Sequence, residues 1–142
     1  MTQPDSADLG SHEIGVRVYY EDTDAQGIVY FANYFKYMER GRTEWLRDRG
    51  VEQSKLSATK GLCFSLTGTA VKFTKPALFD DELVVQTTVT SISGARVGFK
   101  QDIYRGSVEG ELICAGECEA ACLDVNTLRP RRMPAGLFDT QR

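Results

Sequence analysis

Histidine is almost absent from this sequence: His12 is the one residue of its kind in 142 positions, near the end of a polar N-terminal stretch. A Ser-His-Asp or Cys-His arrangement needs an imidazole held within hydrogen-bond reach of its nucleophile. His12 meets that need only if the tail folds back. A zinc site built from two or three histidines is excluded outright. No run of about 18 apolar residues occurs, so no helix is expected to span a membrane. Met1 to Ser11 lacks the apolar segment of a signal peptide and reads as a short disordered tail. No glycine-rich loop of the dinucleotide or phosphate-binding kind joins a strand to a helix. The net charge of −3 gives no general attraction to nucleic acid or to anionic membranes. Hydrolytic chemistry, if present, has to use a carboxylate.

Cys63, Cys114, Cys118 and Cys122 are expected as free thiols in a reducing compartment, which places the chain in the cytoplasm. Three of them recur every four residues. On a strand that spacing separates neighbours by roughly 13 Å, too far to share one ion. Small buried side chains are the better reading, and no metal is expected.

Apolar and polar residues alternate from Ile14 to Tyr20, as in a half-buried strand. An acidic loop follows, Glu21-Asp22-Thr23-Asp24-Ala25-Gln26-Gly27. From Tyr30 to Arg49 the residues Phe31, Tyr34, Phe35, Met38, Trp45 and Leu46 fall at helical spacing. That predicts a long amphipathic helix stopped by Gly50. Its aromatic content suits burial against a sheet. The rest reads as strands: Phe64 to Thr74, ending at Lys75-Pro76; Leu83 to Ile92; a face of Val97, Phe99, Gln101 and Ile103; and Glu111 to Val125. The segment from Asn126 to Arg142 looks irregular.

Strands joined by short turns are antiparallel, and a single helix has to cover one face of their sheet. An α+β architecture follows, with about five antiparallel strands wrapped around one long central helix, which is the hotdog fold. The expected domain runs over residues 12–134, with tails at 1–11 and 135–142.

Asp24 stands a few residues before the helix start. A helix N-terminus offers unpaired N–H groups and a partial positive charge, suited to an oxyanion. A carboxylate beside them can activate water or attack a carbonyl. Gly27 permits a tight turn and close backbone approach to a ligand. An aspartate before a helix is also commonly a cap or turn residue, and Glu21 and Asp22 read as solvated loop charges. Glu39 and Glu44 are candidate second carboxylates, better explained by ion pairs with Arg42 or Arg40.

The run Val18-Tyr19-Tyr20-Glu21-Asp22-Thr23-Asp24-Ala25-Gln26-Gly27-Ile28-Val29-Tyr30-Phe31-Ala32-Asn33-Tyr34 closely resembles the signature of the 4-hydroxybenzoyl-CoA thioesterase family. It is closer still to a branch of small bacterial acyl-CoA thioesterases associated with the Tol-Pal system. Met38 to Arg47, Pro76 to Leu83 and Arg129 to Pro134 extend the likeness over roughly residues 14 to 134. The resemblance implies hydrolysis of a small or medium acyl-CoA, with Asp24 as nucleophile or general base. The backbone amide at Phe31 would polarise the carbonyl, and Tyr30 and Tyr34 would contact substrate. Many relatives in that branch carry histidine where this chain has Phe31. Phenylalanine keeps the N–H but moves no proton, leaving the amide and Asp24 to work without an imidazole and turning the acyl pocket toward apolar groups.

Coenzyme A enters as part of the substrate, so no cofactor is expected. Its phosphates call for Arg or Lys near the pocket mouth. Arg129, Arg131 and Arg132, with Lys72 and Lys75 before the proline loop, are candidates by proximity in sequence. The resemblance also implies a homodimer or homotetramer, and a sheet with an open edge agrees. Two alternatives remain: an acyl carrier protein in place of CoA, and an acyl-CoA-binding module without activity.

Overall fold

The computed structural model describes residues 9–139. Along the chain come β1 (Ser11–Arg17), α1 (Ala32–Asp48), α2 (Gln53–Lys60), β2 (Leu62–Phe73), β3 (Glu82–Ser93), β4 (Arg96–Arg105) and β5 (Leu112–Asp124), with a 3-10 turn at Tyr20–Asp22 between β1 and α1. The five strands form one sheet in the order β1-β3-β4-β5-β2. Every pairing is antiparallel. Alternation builds it: Leu83, Val85, Thr87 and Val89 of β3 and Val97, Phe99, Gln101 and Ile103 of β4 are buried on one face. This is the hotdog fold expected from the order of elements.

α1 lies across β1, β3 and β4 rather than β2. Its buried residues are Tyr34, Tyr37, Met38, Gly41, Trp45 and Leu46. Phe31 and Phe35, expected in the buried stripe, are 55% and 37% exposed, because the helix is rolled toward β1 and turns them toward β2. Gly41 marks the closest approach of helix to sheet. A Cβ there would lie 2.7 Å from Thr87 Oγ1 and 2.9 Å from Gln101 Nε2.

A polar chain crosses the interior at that level. Gln101 Nε2 donates to Met38 O (2.7 Å) and to Thr87 Oγ1 (2.9 Å), while Arg42 Nη1 donates to Gln101 Oε1 (2.9 Å). Apolar side chains on either side form two clusters. One centres on Trp45, Leu46, Leu62, Val97 and Phe99. The other centres on Tyr34, Tyr37, Leu83, Val85, Ile103 and Ile113.

The chain ends are more engaged than expected. β1 begins at Ser11, Leu9 packs on the Trp45 cluster, and Trp45 Nε1 donates to Gly10 O (3.3 Å). At the other end Phe138 is 4% exposed and its ring meets Trp45 at 5.5 Å and Phe64 at 6.2 Å. The folded unit therefore reaches past both expected boundaries, 12 and 134, although residues 125–139 contain no helix or strand. Residues 1–8 and 140–142 of the two expected tails lie outside the described residues.

β1 also ends earlier than expected, at Arg17, and Tyr20 is 80% exposed in the 3-10 turn. α2 has no counterpart in the sequence reading. Only Leu56 is buried along it, so its apolar periodicity is faint, and Gly61 (φ 67°) closes it in the left-handed conformation. Cys114, Cys118 and Cys122 are buried free thiols along β5. Among the described residues no helix is long and apolar enough to cross a membrane.

Candidate active site

The end of β1 is tied to the loop before β3: Val18 N–H donates to Asp81 O and Asp80 N–H to Val18 O. The Asp22 carboxylate then accepts from Tyr19 N–H at 2.9 Å and holds the 3-10 turn. Thr23 and Val29 pair as a bridge, and the chain between them folds back tightly. Asp24 N–H donates to Ile28 O, and Gly27 N–H to Asp24 O, both at 2.9 Å. With Gly27 at φ 79° this is a hairpin loop whose last residue needs the left-handed region, where glycine carries no Cβ penalty.

Asp24 sits half-buried at the root of that loop. Its Oδ1 accepts from Gln26 N–H (2.9 Å), which fixes the carboxylate. Its Oδ2 has no hydrogen-bond partner among the described residues.

The helix start is bound to the same loop through one atom. The main-chain carbonyl oxygen of Asp22 accepts from Tyr30 N–H (2.9 Å) and from Asn33 Nδ2 (2.8 Å). Asn33 N–H turns to Tyr30 O and Tyr34 N–H to Phe31 O. Phe31 is the N-cap, in αR geometry, and no side chain caps the helix. The first-turn donors left without a backbone acceptor are the amides of Phe31 and Ala32. Asp22 was read from the sequence as a solvated loop charge, and Asn33 went unassigned. Asp22 acts through its carbonyl as well as its charge, and only the polar Asn33 at the start of an aromatic helix hinted at a tether.

The proline loop closes one side. Val29 N–H donates to Ala77 O, and Ile28 bridges Leu78. Tyr34 is 4% exposed, and its hydroxyl accepts from Ala77 N–H at 3.1 Å. Burial raises its pKa. The substrate contact expected of Tyr34 is thereby corrected: its side chain is spent inside the fold. Tyr30 and Phe31 are exposed with rings 5.0 Å apart, and Phe31 meets Phe73 edge-on at 6.3 Å. Lys75 reaches this end of the sheet and lies 3.7 Å from Glu111. Tyr37, 1% exposed, has its pKa raised by burial and by the Asp22 carboxylate.

Arg129, Arg131 and Arg132 are elsewhere. Arg131 Nη1 contacts Asp124 Oδ2 (3.3 Å) and Lys60 O (3.4 Å). That is the end of the sheet where Leu62 pairs with Asp124, whereas the aromatic end pairs Phe73 with Cys114. The length of β2 between them is roughly 36 Å, so one chain does not bring the arginines to Asp24. Neither expected ion pair of the helix glutamates forms. Glu44 pairs with Arg47, Arg42 is taken by Gln101, and Glu39 is exposed. His12 lies in β1, 4.0 Å from Asp48 at the far end of α1, about 24 Å along the helix from Ala32.

A groove of about 500 Å³ runs between α1 and β2, lined by Phe35, Glu39, Arg42, Leu46, Phe64 and Leu66 among others. An anchored carboxylate and free helix-start amides suit attack on a carbonyl, and the groove that begins one turn further along α1 at Phe35 has mixed walls, apolar at Phe35, Leu46, Phe64 and Leu66 and polar at Lys36, Glu39 and Arg42.

Comparison with known proteins agrees. The model of the Thioesterase-like superfamily matches residues 18–139. The acyl-CoA thioester hydrolase YbgC of Escherichia coli O6:H1 is 39% identical over 122 residues, 86% of this chain and 89% of that protein. A crystal structure of a probable thioesterase from Bartonella henselae superposes with a TM-score of 0.82 at 34% identity, over 88% of this chain and 100% of the other. A 4-hydroxybenzoyl CoA thioesterase mutant complexed with 4-hydroxybenzoyl CoA gives a TM-score of 0.82 at 18% identity, over 89% and 95% of the two chains, a likeness of fold.

Proposed function

The chain belongs to the thioesterase-like superfamily and is an acyl-CoA thioesterase, and we propose that Asp24 and the first amides of α1 carry its chemistry. The thioester carbonyl oxygen sits against the N–H groups of Phe31 and Ala32, which stabilise the charge that develops on attack. Asp24 Oδ2 faces the carbonyl carbon, as a nucleophile or through a water that it deprotonates. The products are the free acid and coenzyme A, and the step needs no cofactor beyond water.

The observation that carries this reading is the Asp22 carbonyl, which binds Tyr30 and Asn33 and so makes the Asp24 loop and the helix start one rigid unit. Preorganised donors of this kind cost no reorganisation when charge appears. Phe31 supplies an amide and an apolar ring, Tyr30 a second exposed ring, and Gly27 the loop geometry. Lys75 is the nearest of the expected cations for a CoA phosphate. Arg129, Arg131 and Arg132 reach substrate only from a second copy.

A second copy has a natural place. β2 is an edge strand, and Leu66 and Phe73 on it are 42% and 46% exposed beside Phe31 and Phe35 of α1. Pairing there covers an apolar strip and an open ladder, and roofs the groove between α1 and β2. The four free thiols fit a reducing, cytoplasmic setting.

The test is thiol release from acyl-CoAs by the native protein and by Asp24→Asn. A loss of at least about a hundredfold, near 2.7 kcal/mol of transition-state stabilisation, with CoA binding retained, supports the assignment. Full activity in the variant defeats it. Label from ¹⁸O water found on Asp24 after turnover identifies the nucleophile route.

A further inference from the structure

We propose that Arg42 sets the length of acyl chain this thioesterase accepts, by holding a charge part-way along the groove between α1 and β2. The inference rests on the reading above, in which the thioester carbonyl lies at the Phe31 amide.

Phe35, Glu39, Arg42 and Leu46 follow one another along the groove side of α1. Phe35 is about one turn beyond Phe31, Glu39 about 12 Å and Arg42 about 16 Å along the axis. The wall is thus formed by the Phe35 ring with Lys36 beside it near the carbonyl, by Glu39 and the internally anchored Arg42 in the middle, and by apolar side chains where Leu46, Phe64 and Phe99 meet the Trp45 cluster.

Arg42 is not a loose surface charge. Its Nη1 donates to Gln101 Oε1 at 2.9 Å and lies 3.6 Å from Cys118 Sγ. Gln101 is 1% exposed and locked by Met38 O and Thr87 Oγ1. Swinging the guanidinium out leaves a buried amide oxygen with only the weak Cys118 thiol, at 4.0 Å, as a donor, which is costly. The remaining guanidinium N–H groups have no partner among the described residues and depend on water.

An alkyl chain pushed past this point strips that water, and the water of Glu39, and returns no hydrogen bond. Methylenes short of the band gain burial; those beyond it lose the gain. The Arg42 charge is therefore a length stop, with Glu39 on the same helix face adding to the barrier.

Thiol release by the full chain, by Arg42→Met and by Glu39→Leu, on acyl-CoAs from butyryl to palmitoyl, tests it. The readout is the ratio of kcat/KM for palmitoyl-CoA to that for butyryl-CoA, with circular dichroism and the thermal midpoint as folding controls. The native ratio is expected at or below about one-tenth, and each variant should raise it at least about fivefold. Glu39 is exposed and without an ion pair among the described residues, so Glu39→Leu keeps the test alive if Arg42→Met fails to fold. A flat native profile, or variant ratios equal to the native one, overturns the inference while Asp24 keeps its role. Native protein that turns over no acyl-CoA of any length defeats the reading itself and the inference with it.

Discussion

Asn33 Nδ2 donates to the main-chain oxygen of Asp22 at 2.8 Å, and that bond ties the first turn of α1 to the loop that carries Asp24. Neither residue needs to touch a substrate for the bond to matter, since it fixes the distance between the Asp24 carboxylate and the amides of the helix start.

Asn33→Ala is therefore expected to lower kcat about tenfold while KM moves little. Its cost in stability should be about 1 kcal/mol, the net worth of one hydrogen bond. Steady-state kinetics and urea unfolding on the same preparation read both. An unchanged kcat would reduce the tether to a structural detail.

Two glycines answer differently to the same methyl group. At Gly41 the added Cβ meets Thr87 Oγ1 at 2.7 Å and Gln101 Nε2 at 2.9 Å, so Gly41→Ala should cost about 1–3 kcal/mol through overpacking. At Gly27 nothing lies within 4 Å, but φ is +79°. Gly27→Ala should cost about 1–2 kcal/mol in backbone strain and reduce activity through the Asp24 loop. Thermal midpoints alongside turnover separate the effects, with Gly41→Ala mainly a stability variant.

Phe138 is 4% exposed, meets Trp45 edge-to-face and lies tilted against Phe64. Phe138→Ala is expected to destabilise the fold by about 3–5 kcal/mol, although the residue lies in a segment without regular structure. Equilibrium unfolding measures it, and a change below about 1 kcal/mol would contradict the role given to this ring.

Burial pushes the Cys114 thiol from 9.0 up to about 12, and burial also raises Cys118 and Cys122. In each case the folded state holds its proton to higher pH than the unfolded chain does. Stability is thus fully present below about pH 9 and falls as the pH climbs toward the folded-state values, by about 1.4 kcal/mol per pH unit for each thiol fully in that window. Urea unfolding at increasing alkaline pH should show the decline, and Cys114→Ala should make it shallower.

Much of the architecture was legible in the residues. Alternation on Leu83 to Val89 and Val97 to Ile103 is strong because one face of each strand is wholly buried, and the aromatic helix is long enough for its period to show. α2 was not legible: with Leu56 alone buried it carries almost no periodic signal. The roll of α1 was misjudged by part of a turn, because which of Phe35 and Tyr37 goes inside depends on which strands the helix covers. Asp24 was singled out by its motif and its place before the helix, and the structure puts it in a hairpin loop bonded to the helix start. The Arg129 to Arg132 cluster stands at the end of the sheet away from Asp24 of its own chain, which was not legible because nearness along the chain says nothing about which end of a sheet a strand reaches.

Both ends of the described chain converge on one indole. Gly10 O accepts from Trp45 Nε1 and Phe138 meets the same ring edge-to-face, about 21 Å along the helix from Phe31. Residues 10 and 138 thus come together on the side remote from Asp24. A circular permutant that joins them and opens the Gly94-Ala95 turn gives up none of the bonds around Asp24 and the helix start, and puts at risk only the bonds from Met133 N–H to Gly94 O and from Cys122 N–H to Ala95 O.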